Sequence, residues 1–277
     1  MILSPRYDGP TILTTSDGPR SQELPCTRQR RRMEAALATL TADQWALPSR
    51  CDGWSVRDVV VHLTGVNAFW QLSVLQGVAG TPTRFLAAFD PATTPDQMVA
   101  GVPPADPADV LQQFIASNDG FLGAIASLED DQWTAMAESP IGHVSIGLMV
   151  QHALWDSWIH ERDIVLPLGL AQAQEADEVG ACLVYAAAVS PALGIGFGLS
   201  NPGKLAVRST APGKEFTVEV ADSVQISPGI TADVPRLEGD AAELADALSM
   251  RAPMPADAPP EWVSLRDGVA RAFDSVG

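Results

Sequence analysis

The chain has 277 residues, of which 46% are apolar and 18% charged, and its net charge is −17. That length and apolar share supply core material for two domains. The acidity disfavours nucleic acid and anionic membrane as partners, because both attract cationic surfaces.

Residues 1–25 are rich in Pro, Gly, Ser and Thr and lack the continuous apolar block of a signal peptide, which predicts a flexible N-terminal arm. The basic run "RQRRR" at 28–32 leads into "MEAALATL" and reads as the solvated first turns of a helix over 27–40, with Met33, Leu37 and Leu40 at helical spacing. After "LPSRCDGW", Ser55 is a plausible N-cap and Asp58, three residues on, completes a capping-box variant. The helix that follows carries Val56, Val59, Val60, Leu63 and Val66, with His62 among them. A Pro/Thr-rich stretch (81–107) precedes a third helix near 107–128, bearing Val110, Phe114, Phe121 and Leu122. "ESPIGHVS" is turn-like or briefly extended, which makes His143 a polar loop residue, and a fourth helix runs from about Ser145 to Ile164. Four helices joined by uneven loops predict an all-α four-helix bundle over 26–170.

Character changes after "LPLGLAQAQ". A helix at about 175–190 precedes the strand-like runs "KLAVRST", "EFTVEV", "SVQIS" and "VPRLEG". Asp240 can cap "AAELADALSM", and "EWVSLRDGVARAF" reads as a last helix, so 171–277 is predicted to be a small α+β domain. The uncharged stretch 180–203 is Ala- and Gly-rich, is interrupted by Pro191 and lacks a basic anchor, which favours a buried helix over a membrane span. Three scattered cysteines (Cys26, Cys51, Cys182) form neither a disulfide framework nor a metal-ligand spacing, and point to a reducing cytoplasm.

The segment "HALWDSWIHERDI" (152–164) mixes tryptophans with His152, Asp156, His160, Glu161, Arg162 and Asp163. Buried polar groups need partners. Residues four apart share a helix face, so Asp156 and His160 project side by side and can chelate one divalent metal. A third ligand must come from a facing helix, and His62 is the candidate. A His/Asp/His set suits zinc, with iron, manganese or nickel as alternatives, and three protein ligands leave a catalytic position open. The bland readings are a hydrogen-bonded core histidine and an intrahelical pair. His152, one turn before Asp156, is a candidate ligand, acid/base group or mere neighbour.

"CDGWSVRDVVVHLTGV" (51–66) resembles the first conserved block of mycothiol-dependent maleylpyruvate isomerase family proteins, which belong to the DinB-like superfamily of four-helix bundles. "WDSWIHERDI" (155–164) is similar to that family's second block, and "LEGDAAELADALSMRAP" (237–253) to its small C-terminal domain, so the resemblance covers most of 27–275. It implies a DinB-like bundle with metal ligands at His62, Asp156 and His160, and mycothiol as cosubstrate. One departure stands out: the middle ligand is usually Glu in the enzyme that names the family, and Asp sets its carboxylate back by about 1.5 Å. Asp163, three residues past His160, is placed to accept the free ring N–H of a metal-bound His160, or else pairs with Arg162 or Arg57. Trp54, Arg57 and Asp58 match the first block in structural roles.

The resemblance implies a metal that activates mycothiol for S-transfer to, or thiol-assisted isomerisation of, a small electrophile, with His152 moving the accompanying proton. Two rivals stand beside it. One is a metalloenzyme of the same fold acting without mycothiol, such as a hydrolase, lyase or tailoring enzyme; the other is a metal-free binding or regulatory module. Phe69, Trp70 and Trp155 or Trp158 are candidate pocket walls, with bundle core as the alternative. Monomer and homodimer are both compatible with the sequence.

Overall fold

The computed structural model describes residues 2–199 and 202–262. In chain order the elements are β1 (Leu13–Thr14), α1 (Glu23–Leu37), α2 (Ala42–Trp45), α3 (Val56–Val78), α4 (Thr94–Ala100), α5 (Pro107–Ala126), β2 (Met136–Ser139), β3 (Gly142–Ser145), α6 (Ile146–Val165), α7 (Ala176–Gly196), β4 (Gly203–Thr210), β5 (Gly213–Val220), β6 (Val224–Pro228), β7 (Arg236–Gly239) and α8 (Ala241–Leu248). The last expected helix, "EWVSLRDGVARAF", lies almost wholly outside the described residues.

Local chemistry sets the helix starts. Ser55 caps α3 and Asp58 returns the bond, which is the capping box expected from the sequence. Pro107 opens α5, Ser145 caps α6, and Asp240 accepts from two backbone N–H groups at the start of α8. The four long helices α1, α3, α5 and α6 pack on one another, α3 and α1 each against both α5 and α6. The Pro/Thr-rich stretch folds into a short 3-10 turn (Phe85–Ala88) and α4, and "ESPIGHVS" becomes the β2–β3 hairpin.

The second sheet has strand order β1-β6-β5-β4-β7, antiparallel through β6-β5-β4 and parallel at both edges. Helix α7 lies between helices and sheet, touching α1, α6, α8, β5 and β6. Among the described residues it is the one helix long and apolar enough to cross a membrane, and 89% of its apolar window is buried inside the protein. One apolar cluster runs without a break from Trp70 and Trp158 in the helices through Tyr185 to Val207 and Phe216 in the sheet. A second, smaller cluster joins Met33, Trp45, Val59, Leu63, Phe114 and Ile164.

Two expectations are corrected. The N-terminal stretch is not loose: Leu3, Ile12 and Leu13 are buried, and β1 adds a parallel edge to β6. Its path is held by close backbone contact, since a Cβ on Gly142 (φ +118°) would strike the Arg6 carbonyl and one on Gly147 the Pro19 carbonyl. Nor is "RQRRR" a solvated first turn. Arg30 is 1% exposed, bonded to Asn67 and the Ala153 carbonyl with its guanidinium over the Phe121 ring, and Arg32 grips Glu161 and Glu178.

Candidate metal centre

Helix α6 lies across the core, and nearly all of its polar side chains are accounted for. Glu161 accepts from Arg32, Gln29 and Gln172. Arg162 donates to both oxygens of Asp246 and to Gln172. His152 Nδ1 lies 2.7 Å from the Tyr185 hydroxyl. Asp163 receives Arg251 and the Cys51 thiol and stands 3.3 Å from Arg50 Nε. Apart from the Trp158 indole N–H in the core, the exception is Asp156, whose Oδ2 is buried with no hydrogen-bond partner.

Asp156 Oδ1 is 3.8 Å from His160 Nε2, on the same face one turn apart. From α3, the His62 ring meets the His160 ring edge-on at 5.1 Å between centroids. One ligating atom each from His62, Asp156 and His160 falls within 4.8 Å of the others. Two metal bonds of about 2.1 Å put tetrahedral ligand atoms about 3.4 Å apart, so the Asp156–His160 spacing is close to that of a bound pair, despite the shorter carboxylate arm. The His62 side chain makes no hydrogen bond among the described residues; its ring leans on Trp54 at 5.1 Å, and the Trp54 indole donates to Asp96. The orphaned Asp156 oxygen and the uncommitted His62 ring fit a cation that takes both.

Without a metal, electrostatics favour the ligating form at His62 only. Burial, helped by the neighbouring His160 and Arg251 charges, lowers the His62 pKa to about 3, leaving the neutral imidazole that ligates metals. Burial pushes the Asp156 carboxyl up, against the pull of His160 and Arg30. For His160, burial opposes the charged ring but is outweighed by Cys51, Asp163 and Asp156, which raise its pKa to about 10. Its Nδ1 sits 3.0 Å from Asp163 Oδ2, leaving Nε2 for the ligand cluster. Burial would raise the Asp163 carboxyl too, yet the bond from His160 and the Arg251 charge hold it below the usual carboxylate range.

The cluster opens on a cavity of about 1000 Å³ bounded by α3, the 85–99 segment, α6 and Ser249–Arg251. Phe69, Trp70 and Trp155 line it as expected, whereas Trp158 does not and is fully buried in the core. Asp163 pairs with Arg50 and Arg251, not with Arg162 or Arg57, while Arg57 holds Asp58 and the Pro103 carbonyl. His143 is no loop residue: it lies in β3, buried, with Nε2 2.8 Å from the Thr83 carbonyl. Burial lowers the His152 pKa to about 3. Sequence reasoning missed Cys51, Arg251 and Tyr185. Cys51, His160 and Asp163 form a second cluster of potential ligands that shares His160 with the first. Cys51 stood inside the first quoted block, but nothing local marked Tyr185 or Arg251.

Fold and site together define a helical protein with a candidate metal centre at the edge of a large cavity. Residues 26–165 match the mycothiol maleylpyruvate isomerase N-terminal domain, and the chain belongs to that family. It is 23% identical over 138 residues to two uncharacterized proteins of Mycobacterium tuberculosis, MT0041 and Rv0036c, a match covering 50% of this chain and 52% of each relative. The chain thus spans about half the length of the curated relatives it matches. In three dimensions it resembles two crystal structures of the mycothiol-dependent maleylpyruvate isomerase, one of them a point mutant, with TM-scores of 0.60 and 0.61. Each match covers 84% of this chain and 90% of that one at 12% identity, a likeness of fold.

Proposed function

We propose that the protein is a metal-dependent enzyme that activates mycothiol for S-transfer to, or thiol-assisted isomerisation of, a small electrophile. His62, Asp156 and His160 would hold the divalent metal, and two imidazoles with one carboxylate suit zinc. The observation that carries the reading is the convergence of these three donors beside the cavity, with Asp156 Oδ2 buried and unpartnered. Family membership supports mycothiol as the cosubstrate.

A bound divalent cation supplies Lewis acidity, which lowers the pKa of a coordinated thiol from its usual value of about 8.5. The chain's residues prepare the site for this. Neutral His62 offers a lone pair without first losing a proton. Asp163, accepting from His160 Nδ1, fixes the ring so that Nε2 faces His62 and Asp156. Arg251 and Arg50 in turn hold Asp163. The aromatic wall of Phe69, Trp70 and Trp155 offers an apolar surface beside the ligand cluster. The nucleophilic sulfur would arrive with the cosubstrate. On this reading residues 26–170 carry the site, residues 171–277 close its edge through Ser249–Arg251, and the enzyme works in a reducing cytoplasm.

The test is turnover. Incubation with mycothiol and a panel of electrophiles should consume them faster than mycothiol alone, and a chelator should abolish the difference. No acceleration over free mycothiol across the panel would overturn the thiol chemistry.

A further inference from the structure

The wall of the cavity beyond Asp156 has a chemistry of its own. His152 is 3% exposed and enclosed by rings, with centroids at 5.0 Å to Trp70, 5.4 Å to Trp155 and 5.2 Å to Tyr185. Its Nδ1 is taken by the Tyr185 hydroxyl at 2.7 Å. Tyr185 is itself 1% exposed and has no other hydrogen-bond partner among the described residues. Were His152 to donate to the phenol oxygen, the phenol proton would be left buried without an acceptor, which is costly. The phenol therefore donates, Nδ1 accepts, and the one proton of the neutral imidazole resides on Nε2. That nitrogen has no partner among the described residues, and the ring lines the cavity. Trp70, on the same wall, also carries a buried indole N–H with no acceptor. Burial, which lowers the His152 pKa to about 3, keeps the ring uncharged.

Among the described residues, no cationic side chain stands free on this wall. The two arginines that line the cavity, Arg50 and Arg251, are engaged with Asp163, and Arg50 with Asp246 as well. Asp156, one turn along α6, belongs to the proposed ligand set and offers this wall no free charge. A substrate carboxylate seated against these rings, rather than on the proposed metal, would lose its water without gaining a counter-charge.

We propose that His152, locked by Tyr185 as an Nε2–H donor, is the polar anchor of a subsite for an uncharged apolar group bearing one hydrogen-bond acceptor, such as an aryl or alkyl ketone. The inference rests on the cavity being the active site of the proposed enzyme. It assigns His152 a positioning role in place of the proton-moving role expected from the sequence, because a ring with Nδ1 satisfied and Nε2 protonated has no lone pair to present to the cavity.

The test uses full-length protein as purified, selectively 15N-labelled at histidine, without thiol. Nitrogen-detected NMR should place the His152 proton on Nε2, and titration with 4-phenylbutan-2-one should shift that resonance. With the metal chelated, so that it cannot capture the carboxylate, 4-phenylbutanoate of the same skeleton should bind at least tenfold more weakly. His152→Leu should weaken the ketone about tenfold, the effect of one lost hydrogen bond. His152→Gln, which keeps an N–H near the position of Nε2, should stay within about threefold of wild type. If His152→Leu does not fold, Tyr185→Phe serves: the proton should then spread over both ring nitrogens. A proton on Nδ1 in the wild type, equal binding of the carboxylate, or unchanged ketone affinity in His152→Leu would overturn the proposal. Failure of mycothiol turnover with the ketone titration intact counts against the proposed function alone, and the reverse pattern against this subsite alone.

Discussion

His160 presents its two ring nitrogens to two different carboxylates: Nδ1 lies 3.0 Å from Asp163 Oδ2, while Nε2 lies 3.8 Å from Asp156 Oδ1. The first contact orients the ring and the second belongs to the proposed ligand set. Removing the orienting charge while keeping the shape should therefore weaken the site without deleting a ligand. Asp163→Asn is expected to lower metal affinity by about 10- to 100-fold, measured by competition with a metal-indicator dye.

Asp156 carries the opposite signature. Its Oδ2 is buried without a partner and burial raises its carboxyl pKa, so the ionised form costs stability in the metal-free protein. Asp156→Asn should abolish metal binding yet leave the chelated protein as stable as wild type, or more stable by up to about 1 kcal/mol. Urea unfolding of both chelated proteins checks this; a loss of stability would mean that the carboxylate serves the fold.

Asp246, on α8, ties the two halves of the chain by accepting from Arg50 and Arg162. Burial raises its carboxyl, but the two arginines outweigh burial and hold it below the usual carboxylate value. A depressed folded-state pKa stabilises at all pH above the unfolded value of about 3.9, and the benefit is lost as pH falls through the folded value. Asp246→Asn should cost about 3 kcal/mol at pH 7. The gap to wild type should shrink below about pH 4, as read from unfolding free energies across pH.

The packed N-terminal stretch gives a further check. Gly147 lets the Pro19 carbonyl approach α6, and a methyl group there would force the two apart. Gly147→Ala is expected to destabilise by about 1–3 kcal/mol and to speed limited proteolysis within residues 2–20.

The sequence made much of this legible, for reasons that differ by element. Helices α3, α5 and α6 announce themselves through caps and periodic apolar residues, and Asp156 and His160 through a four-residue spacing that needs only one helix to be true. His62 was legible because it is the histidine on the apolar face of a neighbouring helix, and the family block covers it. The N-terminal stretch misled because its composition is that of a loop; burial of Leu3 and Ile12 depends on a sheet edge and a hairpin formed more than a hundred residues later. The arginine run misled because charge pattern does not reveal that Glu161 and Glu178 wait on other helices. Tyr185 reaches His152, and Arg251 the cavity, by tertiary packing alone.

The central claim is that His62, Asp156 and His160 hold one divalent cation. Elemental analysis of the purified protein tests it most directly. We expect close to one equivalent of zinc or a similar metal per chain in the wild type, and almost none in a folded His62→Ala variant. A wild-type protein that is folded and binds no metal even when it is supplied, or a His62→Ala variant that retains a full equivalent, would contradict the account.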